Sequence, residues 1–103
     1  MTETQHFAYK LIPPRPTFAA DMSAAERAVM QAHVGYWRGL LAEGRVVAFG
    51  PVLDPAGAWG LGVVEAATEA DARALGADDP AVTSGIARFE VYPMPGAVVR
   101  RRA

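Results

Sequence analysis

One histidine stands where an apolar residue is expected. At about 100° per residue, Val29, Met30, Val34, Trp37, Leu40 and Leu41 share one arc of a helix, and His33 falls inside that arc. Arg27, Gln31, Arg38 and Ala42 take the opposite side. An imidazole titrates near neutral pH, so on a sheltered surface it can take a proton from a bound molecule and return it. The competing reading is a core histidine whose ring nitrogens are satisfied by backbone carbonyls, because structural networks also bury titratable groups. Other chemistries find little support. Without a single cysteine there are no disulfides, no thiolate catalysis and no Cys-based zinc site. No serine sits in a nucleophile elbow, no G-x-G-x-x-G opens a helix, and H-E-x-x-H is absent. His6, on a strand near the start of the chain, is expected to face solvent. Two histidines among scattered acids fall short of a metal constellation, and neither metal nor cofactor is expected.

The elements that must position His33 follow from periodicity and punctuation. His6–Ile12 alternates Phe7, Tyr9 and Leu11 against His6, Ala8 and Lys10, the pattern of a strand with one apolar face. Pro13-Pro14-Arg15-Pro16 ends it, and the connection runs to Asp21 with Phe18 folding back onto the domain. Ser23 and Glu26 have capping-box spacing, so a helix is predicted over about 24–43 with Gly44 as its left-handed stop. A short strand Arg45–Phe49 ends at Gly50-Pro51, Asp54–Gly57 is a turn, and Ala58–Ala66 is the next strand. In that strand Gly60, Gly62 and Val64 share a face, which reads either as a bare floor for a ligand or as room for a bulky neighbour. Gly50 and Gly60 are expected to tolerate added bulk badly. Thr68–Asp71 opens a second helix ending at Gly76, and Ser84–Tyr92 is the last strand.

The order β-α-β-β-α-β is that of an α+β, ferredoxin-like split βαβ domain, a four-stranded antiparallel sheet with two helices on one face. Its other face needs cover, and a second copy is the simplest cover; the face of Gly60, Gly62 and Val64 is the one expected to be buried in a homodimer. At 103 residues the chain makes one domain, with residues 1–5 and 100–103 as expected tails. A hydrophobic fraction of 51% supports a core, and a net charge of −1 argues against nucleic acid as a partner. No apolar run approaches the roughly 20 residues of a membrane span. The stretch M-T-E-T-Q-H shows no secretory signal, so a cytoplasmic location is expected.

Three segments in order resemble the YCII-related family of small dimeric α/β-barrel proteins. They are His33 followed by V-G-Y-W-R-G-L-L-A-E-G, then Phe49-Gly50-Pro51, then D-P-A-V-T-S-G from Asp79 to Gly85. The resemblance implies a ferredoxin-like protomer, a dimer with facing sheets, and an active site built from His33 and Asp79. It establishes no substrate, and the proline-rich Pro13–Asp21 segment departs from it.

Asp79 also has a structural reading, as an N-cap before Pro80 at the first helical position. A carboxylate has two oxygens, so both roles can coexist. The pocket beside such a dyad is expected to involve Trp37, Phe49, Gly50, Pro51 and Phe18. Arg38 and Arg88 read as surface charges, although Arg88 on a sheet face could attract a carboxylate. Two functions remain open. One is a cofactor-independent lyase or isomerase using a His33–Asp79 general acid/base dyad; the other is a non-catalytic dimeric module that binds a small ligand.

Overall fold

The computed structural model describes residues 4–100; the outermost residues of both expected tails lie outside the described residues. Four strands, β1 (Gln5–Ile12), β2 (Val46–Val52), β3 (Trp59–Ala66) and β4 (Arg88–Pro93), form one antiparallel sheet in the order β2-β3-β1-β4. The helices are α1 (Phe18–Asp21), α2 (Ala24–Ala42), α3 (Glu69–Ala77) and α4 (Pro80–Thr83). This is the expected α+β split βαβ arrangement. Gln5 already belongs to β1, so the strand begins one residue earlier than the alternation alone indicated.

Alternation in β1 does what the pattern requires. Phe7, Tyr9 and Leu11 are buried under the helices, where they meet Trp37, Leu40, Leu75 and Val91. At the head of α2 the Ser23 hydroxyl accepts from the Glu26 amide while Glu26 accepts from the Ser23 amide, so both orphan donors are satisfied. Gly44, at φ 77°, turns the chain out of the helix. The apolar arc is narrower than its sequence suggested, because Val34 and Leu41 lie at its margins and are exposed.

Several boundaries move for physical reasons. The connection after β1 contains the short helix α1, which brings Phe18 into the interior. Its anchor is Arg15, whose guanidinium donates to both carboxylate oxygens of Glu26 at 2.8 and 2.9 Å and to Asp21 at 2.8 Å. Strand β2 runs straight through Gly50-Pro51 instead of ending there. It is an edge strand, so the missing proline N–H breaks no ladder. Residues 84–87 are not strand, because the Gly85 and Ala87 amides fold back to carbonyls of Val82 and Ala81.

Gly76 is not a helix stop either. It lies inside α3, and a Cβ there would come within 2.7 Å of the rings of both Tyr9 and Phe89. Gly76→Ala is therefore expected to destabilise by about 1–3 kcal/mol through overpacking, whereas Gly39→Ala, on an open helix face, should be neutral or gain up to about 1 kcal/mol. Urea unfolding of the two variants checks this, and similar midpoints would contradict it.

The face of β3 that carries Gly60, Gly62 and Val64 is the helix-covered one, which overturns the expectation that a second subunit covers it. Val64 is in the core, and Trp37 lies directly on Gly62, filling the space its missing side chain leaves. The open face instead carries Ala8, Lys10, Leu61, Val63, Trp59 and Tyr92, as the cross-strand pairing requires. Among the described residues no helix is long and apolar enough to cross a membrane.

Candidate active site

Helix α2 and the turn before α4 place His33 and Asp79 against each other. Nδ1 of His33 lies 2.8 Å from Oδ2 of Asp79 and 3.0 Å from Oδ1. Asp79 ends the link from α3 and caps α4, with Oδ1 accepting from the Ala81 amide at 2.8 Å and Pro80 at the first helical position. Both roles open to it in the sequence are thus filled at once. Nothing of Asp79 reaches solvent. Oδ2 also accepts from the indole Nε1–H of Trp37 at 2.7 Å and from the Tyr9 hydroxyl at 3.0 Å.

Four donors on one carboxylate decide its charge. Burial pushes the Asp79 carboxyl up, but the hydrogen bonds from His33, Trp37 and the Ala81 amide, with the adjacent imidazole, outweigh it and hold the pKa below the ordinary value. The ionised carboxylate only accepts, so Nδ1 of His33 carries a proton and Nε2 is the ring nitrogen turned away from Asp79. Burial, reinforced by the Asp79 charge, pushes the Tyr9 hydroxyl far up and keeps it a donor. Among the described residues Nε2 of His33 has no hydrogen-bond partner, and no buried side-chain nitrogen or oxygen lacks one. That nitrogen is therefore reachable from outside.

His33 lines a cavity of about 250 Å³. It sits between α1, the middle of α2, and the sheet end where β1 and β2 finish and β3 begins. Trp37, Phe49, Gly50, Pro51 and Phe18, the expected pocket residues, all line it. Phe49 pairs with Gly62 across the sheet and packs on Trp37 at a ring separation of 6.2 Å. Arg88 does not belong here. Strand alternation puts it with Ile12 on the open face, where its side chain is 72% exposed beside Glu90. Gly50 lines the cavity, yet a Cβ there would meet nothing within 4 Å, so its expected intolerance of bulk has no steric basis; at Gly60 the Leu11 side chain stands at 3.3 Å.

The pattern of residues missed two contributors, Tyr9 and Met30, and one role, since Trp37 was expected in the pocket but not as a donor to Asp79. Tyr9 and Trp37 both hydrogen-bond Asp79, and Met30 adds an apolar wall. The signal for Trp37 was present, since His33 and Trp37 are four apart on one helix and face the same neighbour. Tyr9 carried none, because an alternating strand counts its ring and conceals its hydroxyl. Among the described residues no three His, Asp or Glu side chains converge as a metal would require. What this arrangement can do is hold one imidazole in a fixed tautomer, with its basic nitrogen turned to an apolar chamber.

No curated protein matches the chain. The profile of the YCII-related domain matches residues 8–95, a span that contains the whole sheet beyond its first residues together with His33, Asp79 and the cavity. The chain therefore belongs to the YCII-related family.

Proposed function

We propose that the protein is a cofactor-independent acid–base enzyme, of lyase or isomerase type, in which His33 Nε2 moves a proton on a small molecule held in the cavity. Asp79 acts as the positioning partner. It fixes the ring and the tautomer, and it stabilises the imidazolium that forms when Nε2 takes a proton. The observation that carries the reading is the division of the imidazole, with one nitrogen tied to a fully buried carboxylate and the other free at the wall of an apolar cavity. A core histidine would have both nitrogens satisfied.

A specific observation also favours the ligand-binding module as a second reading: among the described residues Nε2 is the one unengaged polar side-chain group at the cavity, and a lone hydrogen bond can orient a ligand without chemistry. The two separate by experiment. Small cyclic ketones and phenols are incubated with the protein in deuterium oxide, and proton exchange or turnover is followed by NMR. Wild type should accelerate exchange on at least one compound, and His33→Asn should lower that rate by about 10²–10⁴-fold. Equal rates for the two proteins would remove the acid–base role.

In the same proposal the working unit is a homodimer formed through the open sheet face, where Leu61 and Tyr92 are 37% and 52% exposed. A chain this short gains burial by pairing, and the interface should exceed about 1,000 Å². Light scattering at micromolar concentration is expected to give twice the chain mass; a monomer there would exclude this assembly.

A further inference from the structure

From the chemistry of the cavity wall we infer that its ligand is an uncharged, mostly hydrocarbon molecule of one or two rings bearing a single hydroxyl or carbonyl group, and not a carboxylate. The inference rests on the reading of His33 as the group that meets the ligand. Among the described residues, none that lines the cavity is aspartate, glutamate, lysine or arginine. Leu11, Phe18, Met30, Trp37 and Phe49 supply apolar walls. Of the polar side-chain groups at the cavity, the Tyr9 hydroxyl and the Trp37 N–H are both spent on Asp79, and the Trp59 N–H points to Asp54 at 3.3 Å. His33 Nε2 is the side-chain group left for a ligand, which sets the number of polar substituents the cavity can satisfy at one.

An anion is disfavoured on three counts. A carboxylate moved from water to this wall would lose its hydration without a paired charge in return. Behind the imidazole stands the ionised Asp79, so a second carboxylate at Nε2 would face a like charge across a single ring. The nearby cations are committed or misplaced. Arg15 is held by Asp21 and Glu26, Lys10 lies over the Trp59 ring on the open face, and Arg88 is on that face as well. Size completes the description. An apolar cavity of about 150 Å³ accepts benzene, so 250 Å³ suits one ring with substituents or two fused rings.

The test uses two probes of one shape, β-naphthol and β-naphthoate, titrated into nitrogen-labelled wild-type protein at neutral pH. The Trp37 indole stands in the cavity wall, so its N–H resonance reports binding there, whereas the Trp59 indole lies on the open face beside Lys10 and serves as the reference signal. Naphthol should shift the Trp37 resonance more than that of Trp59 and bind roughly ten-fold or more tightly than naphthoate. Naphthoate binding as tightly as naphthol, or neither probe moving the Trp37 indole signal up to the solubility of naphthol, would overturn the inference. Repeating the titration with His33→Ala keeps the two readings apart. If naphthol is still preferred with unchanged affinity, the uncharged, apolar ligand class stands and the reading of His33 as the group that meets it falls. If naphthoate is preferred by wild type and exchange activity on a carboxylated compound depends on His33, the ligand class falls and the acid–base reading stands.

Discussion

Replacing Asp79 with alanine is expected to lower the unfolding free energy by about 3–5 kcal/mol, a large share of what a domain of this size has. The loss comes less from the dyad than from the donors left behind. The Tyr9 hydroxyl and the Trp37 N–H are buried and would have no acceptor, and α4 would lose its cap. Asparagine separates the contributions. With its oxygen in the place of Oδ2 it can still serve Tyr9, Trp37 and His33, but its amide group then confronts the Ala81 N–H, donor against donor. That variant should lose about 1–3 kcal/mol and also the charge that stabilises an imidazolium.

Acid should reveal the same carboxylate. Its pKa is depressed in the native protein, so the unfolded chain takes up a proton there first as pH falls. The stabilisation is complete above the ordinary carboxylate range, about pH 4–5, and is lost as pH drops through the lower native value. Urea midpoints measured from neutral pH downward should therefore converge for wild type and Asp79→Asn within that window. A gap that stays constant on acidification would mean that Asp79 is not held ionised by its donors.

Valine at Gly62 is the second large effect, and two forces oppose each other there. Valine is the better strand former, a preference worth at most about 1 kcal/mol. Against it, a Cβ at Gly62 would lie 2.9 Å from Cζ3 and 3.2 Å from Cη2 of Trp37. The indole is a side-chain terminus, but it is buried and tethered through Nε1 to Asp79, so it cannot swing aside without breaking a 2.7 Å hydrogen bond. Overpacking costs typically about 1–3 kcal/mol, so it wins, and the variant should be destabilised. The displaced indole should also perturb His33, giving a shifted Trp37 indole resonance and weaker proton-transfer activity. Gly50→Val supplies the contrast, because open space lies where its Cβ would go and strand preference decides the sign. Gly62→Val as stable as wild type would contradict this placement of Trp37.

Local rules made much of this fold legible. The box at Ser23 and Glu26, the turn at Gly44 and the alternation of Phe7, Tyr9 and Leu11 each depend on near neighbours, and each is found. What escaped depends on distant partners. Alternation shows which residues of β3 share a face, not which face the helices take, so Gly62 was assigned to a subunit interface when it is the seat of Trp37. The same ambiguity left Arg88 open as a group that could attract a ligand carboxylate from the sheet face. Helix α1 has four residues and no periodicity to betray it; it is held by Arg15 reaching Glu26, a contact outside any local pattern. The meeting of His33 with Asp79 came from family resemblance, since 46 residues separate the two in the chain and no spacing rule joins them. Tyr9 and Trp37 were read by their rings, while the site uses their polar ends.

Glu26 makes two structures inseparable. One of its oxygens accepts from the Ser23 amide that starts α2 and from Arg15, which anchors the segment carrying Phe18 into the cavity wall; its other oxygen holds Arg15 again. Unlatching that segment exposes the carboxylate's share of the helix start, and fraying the helix start releases the latch. The cavity cover and the first turn of α2 thus form one cooperative opening unit, below the free energy of global unfolding. Access for a ligand through that side is then governed by how readily a helix end melts, not by a loop moving on its own.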